Sequence, residues 1–389
     1  MNWALFFALL SICSRGGFEI VMPKPVAYLA SLLGFYVGVL WFYLGNRMVF
    51  RARLPVLFLS LVFIFTSFIS LFITFIDTTD LIYAVYIVYP IVITFSFFVF
   101  YSVRCEGMVL REIERSITVL ILVLFSLATL QEFKLIDLPG ATPAYGIPGN
   151  LVRPSSITGS YLHYPLIMVM LGVFLQVLKQ RLSLVTLVAF ASVFLAFSRS
   201  GMMLVLSHVA LLMAHVLFTG RLRLSHKRLI YALLMLVAAT VVLIMTGLVD
   251  ILWARATSAL DTQGIGNDDR IAAWTYGINV ISDSNLLFGS NFGKATNLTA
   301  NLTGAESYVV ESGILQNMIN FGFVGSLVFF GLFAYMYQVS SERYFRFFLI
   351  AMLLQSLVYQ STEVLPFILG VMFLRSLAIS PSAVAWRRP

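Results

Sequence analysis

The chain is 389 residues long, 60% hydrophobic and only 11% charged, with a mean hydropathy of +0.95 and a formal net charge of +8. Such a composition excludes an ordinary water-soluble domain and predicts an integral membrane protein. Its positive charge lies in short segments between apolar runs, where membrane orientation accounts for it, so nucleic acid is not an expected partner.

A bilayer core about 30 Å thick takes roughly 20 apolar residues per helix. In chain order the apolar stretches fall near 3–21, 26–45, 54–76, 81–103, 116–133, 158–178, 183–198, 201–219, 229–248, 313–337, 345–361 and 364–380. They predict an all-α, polytopic integral membrane protein, a single transmembrane domain over 1–389 with about 12 transmembrane helices. Arg15, Gly16, Gly17 and Glu19 interrupt the first stretch, which suits a short or re-entrant helix. That stretch has neither the basic start nor the small-residue cleavage site of a signal peptide. Cys13 and Cys105 fall on opposite predicted sides, so neither a disulfide nor a cysteine-based metal site is expected.

Six short segments are basic: Arg47/Arg51/Arg53, Arg104/Arg111/Arg115, Lys179/Arg181, Arg221/Arg223/Lys227/Arg228, Arg343/Arg346 and Arg387/Arg388. Each follows an even-numbered stretch, and the acids among them are confined to Glu106, Glu112, Glu114 and Glu342. The positive-inside rule therefore predicts that both termini are cytoplasmic. Two outer loops are long: 134–157, rich in Pro and Gly, and 249–312, which carries a predicted amphipathic helix. Loops of that length in a compact membrane protein direct the search for function to the outer face.

Positive charge is disfavoured on that face, and an Arg at mid-helix costs about 2.5–3.5 kcal/mol on insertion scales. Arg153, Arg199, Arg270 and Glu311 are therefore the leading candidates. Arg153 stands in Arg153-Pro-Ser-Ser-Ile-Thr-Gly-Ser-Tyr-Leu-His163, where either a loop contact or a ligand accounts for it. His163, near the outer end of its span, is a binding candidate beside it. Arg199 lies within the run 183–219, too long for one span, so a tight hairpin turn is predicted at Phe197-Ser-Arg-Ser-Gly201. One reading is an Arg snorkelling to headgroups. The other is a guanidinium held over a cavity for phosphate, with Ser198 and Ser200 as binding candidates beside it. His208 and His215, at i, i+7, are too widely spaced for a simple metal pair and read as helix packing.

Arg270 opens the amphipathic helix, with Ile271, Trp274, Ile278 and Ile281 roughly on one face and Asn267, Asp268 and Asp269 as N-cap candidates. A cation in the first turn opposes the helix dipole. Its compensation is either an ion pair with Asp268 or Asp269, or an anionic ligand drawn also by the helix N-terminus. Glu311, at the mouth of the tenth stretch, reads either as a dipole-stabilised cap or as a desolvated proton acceptor. Gly322 and Gly325 are expected to let neighbouring helices approach closely. Glu363, at the outer end of the last span, is a second carboxylate candidate. Asp268 and Asp269 are adjacent but form no convincing magnesium site, and no metal is expected.

Several of these motifs fall in a telling order. Arg153 precedes a Gly-containing span start and is followed by Phe197-Ser-Arg-Ser-Gly201 and Arg270-x-x-x-Trp274. After these come Leu287-Phe-Gly-Ser-Asn-Phe-Gly293 and Glu311-Ser-x9-Gly-x-x-Gly325. Together, over roughly 150–330, they resemble the Wzy-type O-antigen polymerase and O-antigen ligase superfamily of bacterial inner membranes. Ligases of this kind carry His-Asn/Ser/Gln-x9-Gly-x-x-Gly at the last motif. Glu311-Ser312 stands there instead, which favours a polymerase.

The resemblance implies a GT-C-like membrane glycosyltransferase that works at the periplasmic face without a metal or other cofactor. It implies undecaprenyl-diphosphate-linked glycans as substrates, the growing chain as donor and a fresh lipid-linked repeat unit as acceptor. Arg199 and Arg270, then Arg153, would steady the departing diphosphate, and Glu311 would take the acceptor proton. His163, Ser198, Ser200, Trp274 and Glu363 would contact substrate. Beside membrane lipids, a chain-length regulator and a flippase are the implied partners. A ligase delivering glycan to lipid A core is the nearest rival, and a flippase or other transporter the next. A transporter fits less well, because the charges gather on one face and the long loops have no counterpart in the other half.

Overall fold

Asn2, Ser183, Ser198, Thr296 and Ser312 each accept a hydrogen bond from a backbone N–H in the first turn of the helix that follows. These short polar side chains satisfy donors that a helix start leaves open. The computed structural model describes residues 1–78, 81–106, 110–143, 152–219, 268–304 and 308–378. Its helices in the first half are α1 (Trp3–Cys13), α2 (Arg15–Glu19), α3 (Lys24–Gly45), α4 (Leu54–Thr78), α5 (Val88–Ser102), α6 (Leu110–Glu132) and α7 (His163–Lys179). Then come α8 (Leu184–Leu195), α9 (Arg199–Phe218), α10 (Asp268–Ser282), α11 (Asn297–Thr303), α12 (Gly313–Val339), α13 (Arg343–Ser356) and α14 (Leu365–Ala378).

Helix α4 illustrates the physics of the architecture. Its buried side is Val56, Ser60, Phe63, Thr66, Ser67, Ser70 and Thr74, a seam of mostly small hydroxyl residues. Its other side exposes Phe58, Leu61, Phe65, Phe68 and Phe72. A helix in water buries the aromatic face. In lipid, small residues meet between helices and bulky apolar ones face outward. Leu33, Val37, Leu40, Trp41 and Leu44 are exposed on α3 in the same way.

Among the described residues, five segments are long and apolar enough to cross a membrane: Lys24–Gly45, Leu54–Thr78, Ile82–Ser102, Leu110–Glu132 and Gly313–Val339. Trp3–Cys13, His163–Lys179, Leu184–Leu195 and Leu365–Leu377 are apolar but shorter. The protein is thus predominantly helical with several potential spans. The expected span 229–248, the basic segments 221–228 and 387–388, and the loop portions 144–151 and 249–267 lie outside the described residues. At the centre, α7 is buried continuously from Tyr164 to Val177, and α14 from Leu365 to Arg375.

Two small strand pairs depart from the all-helical expectation. Residues Arg47–Phe50 pair antiparallel with Val103–Glu106, joining two of the basic segments. Thr142–Pro143 pair with Val152–Arg153, Thr142 opposite Arg153, within the long loop 134–157.

The role expected of Gly322 also needs correcting. It does not serve a smooth helix-helix contact; it breaks α12, with φ 64° and ψ −171°. Phe323 and Val324 donate their N–H groups to the carbonyls of Leu286 and Leu287, at 2.9 and 3.0 Å. A Cβ at Gly322 would sit 2.4 Å from the Gly289 nitrogen. The 287–293 motif is therefore a plug wedged into the break, held further by Phe292 buried against Tyr86 and Phe321. Gly325 does face another helix: a Cβ there would lie 3.4 Å from Thr66 Oγ1 of α4.

Candidate functional site

The loop 134–157 is fixed by one glutamine. Gln131 Oε1, near the end of α6, accepts the N–H groups of both Ser155 and Ser156 at 2.9 Å, and Ser155 Oγ donates to the Pro139 carbonyl at 2.7 Å. With the strand pair, these bonds set Arg153. Its guanidinium lies over the Tyr161 ring at 5.3 Å, and its buried Nε has no hydrogen-bond partner among the described residues.

The predicted hairpin between α8 and α9 is present. Phe197 adopts φ +46°, and Ser198 caps α9, accepting the Gly201 N–H at 3.3 Å. Ser198 Oγ and Ser200 Oγ share a hydrogen bond of 2.9 Å, and Gln355 donates to the Ser200 carbonyl at 2.6 Å. Both serines are buried in this turn, so their observed role is to shape it rather than to line an open surface. What they present is Arg199, the first residue of α9.

Arg270 lies in the first turn of α10, and its Nε donates to Glu311 Oε2. One turn on, Trp274 Nε1 donates to the Glu311 carbonyl at 3.4 Å. The i, i+4 spacing puts both donors on one helix face. Thus the partner seen for Arg270 is Glu311; the side chains of Asp268 and Asp269, and all of Asn267, lie outside the described residues. Nor does Glu311 cap α12. It holds φ +50° just before Ser312, and Ser312 Oγ makes the cap with the Leu315 N–H at 3.4 Å.

These three elements converge. The Arg199 guanidinium is disfavoured first by burial, then by the positive charges of Arg270 and Arg153, while Glu311 acts in the opposite sense. Three arginines from three separate segments therefore share one electrostatic neighbourhood. The Arg270 and Glu311 side chains keep 27% and 37% of their surface, so this pair is open to solvent.

His163 and Glu363 fall elsewhere, on a cavity of roughly 260 Å³ beside this cluster. Arg15, Tyr28, Asn297, Tyr359 and Gln360 also line it. Glu363 sits in a 3-10 turn before α14, and its Oε1 accepts the Leu298 N–H of α11 at 2.8 Å. Burial pushes the Glu363 carboxyl up to about 7, with the hydrogen bond from the Leu298 N–H working against the rise. Segment 159–163 forms one wall. It passes so close to α2 that a Cβ at Gly16 would lie 2.4 Å from the Gly159 nitrogen.

Tyr359 joins the two regions. It lines the cavity, and its phenol lies in the fields of Glu363, Tyr161, Glu311 and Arg270. Arg15, Tyr28, Asn297, Tyr359 and Gln360 were not candidates from the sequence. The one usable signal was Arg15 with Glu19 at i, i+4 inside an apolar stretch, and these two do form an ion pair of 2.7 Å. His208, as expected, is a packing residue: it is buried and bonds Gln176 at 3.1 Å. Among the described residues no group of three or more His, Cys, Asp or Glu could hold a metal ion. No model of a known protein family matches the sequence, and no curated protein matches it.

Proposed function

We propose that this chain is a bacterial inner-membrane glycosyltransferase that polymerises undecaprenyl-diphosphate-linked repeat units at the periplasmic face. Both termini are cytoplasmic in this reading, with about 12 spans in a GT-C-like arrangement, as hydropathy and the positive-inside rule imply. The observation that carries it is the convergence of Arg153, Arg199 and Arg270 on one neighbourhood. Like charges gathered in this way disfavour one another, and a dianionic group bound among them offsets that repulsion.

A sugar linked to a prenyl diphosphate is already activated, so its transfer needs the leaving oxygens steadied more than it needs a strong nucleophile. Guanidinium groups fixed near a low-dielectric boundary supply that stabilisation without reorganising. The Arg270–Glu311 pair and the Trp274 bond hold one of those groups in place. The departure from the ligase motif at Glu311 supports polymerase over ligase.

The decisive experiment is mass analysis of lipid-linked glycans after deletion of the gene. Accumulation of single repeat units supports polymerisation. Accumulation of long lipid-linked chains identifies a ligase instead, and an unchanged pool rejects both.

A further inference from the structure

The cavity that Tyr359 helps to line is rich in polar side chains. At roughly 260 Å³ it falls just under the ~300–1,000 Å³ usual for drug-sized ligands, so it suits one small ring. Its lining mixes hydroxyl, amide, imidazole and carboxylate groups from Tyr28, Ser160, His163, Asn297, Gln360 and Glu363. Such a mixture matches a partner whose every oxygen both donates and accepts, as sugar hydroxyls do.

Two of these groups are unsatisfied. Gln360 is 95% buried, yet its Oε1 has no hydrogen-bond partner among the described residues, and the same holds for the buried Nδ1 of His163. Leaving buried polar atoms unbonded is costly, and a hydroxyl-bearing ligand would complete both. The cavity also adjoins the arginine cluster through Tyr359, and through Tyr161, which stacks under Arg153 beside the lining residues Ser160 and Leu162.

Glu311, the carboxylate in the arginine cluster, already has an oxygen engaged by Arg270. Glu363 has one oxygen on the Leu298 N–H and borders the cavity. We infer that the cavity seats the terminal sugar of the acceptor and that Glu363 receives the proton of the attacking hydroxyl. The inference rests on the glycosyl-transfer reading above. It moves the proton-accepting role from Glu311 to Glu363 and leaves Glu311 as a positioning residue for Arg270.

The acceptor O–H gives its proton to a Glu363 carboxylate oxygen while the hydroxyl oxygen forms a bond to the donor's anomeric carbon. The bond from that carbon to the phosphate oxygen breaks, and its electron pair leaves on the lipid diphosphate, held by the arginines. Glu363 then returns its proton to water. A carboxyl pushed up to about 7 suits a base near neutral pH. Other titratable groups face it: Arg15 from α2, Lys24 and Tyr28 from α3, His163 from α7, and Tyr359 from the turn after α13. The phenols of Tyr86 and Tyr89 also lie in its field.

The test uses membrane vesicles carrying the full chain, supplied with lipid-linked glycan extracted from the deletion strain. Chain lengthening is measured between about pH 5.5 and 8.5, spanning the Glu363 titration. The wild-type rate is expected to rise with pH, with a midpoint near 7. Glu363→Gln retains an acceptor for the Leu298 N–H and is expected to lose at least about 100-fold in rate, together with that rise. Gln360→Ala is expected to raise the half-saturating glycan concentration about 5–10-fold at little change in maximal rate, the loss of one hydrogen bond to bound sugar. If Glu363→Gln lengthens chains at the wild-type rate with the same pH profile, or Gln360→Ala saturates like the wild type, the cavity inference is overturned. The wild type and Arg199→Ala keep the two readings apart: no lengthening by the wild type overturns the glycosyl-transfer reading itself, whereas Arg199→Ala as active as the wild type overturns only the arginine clamp.

Discussion

Arg270 donates its Nε–H to the carboxylate of Glu311 across 41 residues of sequence. The carboxylate offsets a cation that opposes the dipole of α10, and it is carried by a residue held at φ +50°. The pair is partly exposed, so its contribution to stability is modest, about 0.2–1 kcal/mol. Its significance under the proposed function lies in aiming Arg270.

Arg270→Ala and Glu311→Gln are accordingly expected to keep the protein in the membrane with little change in thermal unfolding, while polymer is lost in the first and reduced in the second. Glycan ladders beside a melting curve in detergent measure both quantities. Polymer from Arg270→Ala at the wild-type level removes Arg270 from the diphosphate clamp.

Arg199→Lys tests geometry rather than charge. Lysine keeps the positive charge but not the planar fork that grips two phosphate oxygens. A loss of about 10-fold or more, near 1.4 kcal/mol, is expected in the lengthening rate. A fully active lysine variant would mean that charge alone suffices at the α8–α9 turn.

Trp274→Phe removes the indole donor to the Glu311 carbonyl and keeps most of the ring. One neutral hydrogen bond corresponds to about 0.5–1.5 kcal/mol, so activity is expected to fall roughly 2–12-fold. Replacement by Ala removes the packing as well and is expected to be worse. Equal activity in all three forms shows that Trp274 does not position Glu311.

Gly322→Ala addresses the fold. Alanine at φ 64° is strained, and its Cβ would meet backbone of the 287–289 plug at 2.4–2.5 Å. Neither side can yield cheaply, so destabilisation on the order of 3 kcal/mol is expected. Membrane expression and detergent melting read it directly; a wild-type melting curve would show that the break in α12 is dispensable.

Glu363 also predicts how stability varies with pH. Its carboxyl titrates near 7 in the fold against an ordinary value of 4.5, so the folded protein holds this proton more tightly than the unfolded chain. Its contribution is therefore fully present below about pH 4.5 and lost as pH rises through 7. In Glu363→Gln that loss is absent. The difference in melting temperature between variant and wild type is expected to move in the variant's favour from about pH 5.5 to 8.5; a constant difference contradicts the buried, protonated carboxyl.

A mostly helical chain with several potential spans is legible along the sequence, because insertion of a helix depends on the local free energy of transferring about 20 consecutive side chains. The turn at 197–201 is likewise local: an apolar run too long for one span, interrupted by Ser-Arg-Ser-Gly, folds back where the chain has a cap and a small residue. Arg153, Arg199, Arg270 and Glu311 stand out in the sequence as charges that need compensation, but which of them meet is not encoded locally.

That choice belongs to tertiary structure. Whether Arg270 turns to Asp268, Asp269 or Glu311 depends on how α10 packs against the start of α12, and no local rule encodes it. Likewise, the Leu298–Glu363 bond spans 65 residues, and the cavity around it joins segments from α2 to α14. Hydropathy is a sum over neighbours in the chain and can be read in one dimension; electrostatic pairing falls off with distance in space, which only the packed helices define.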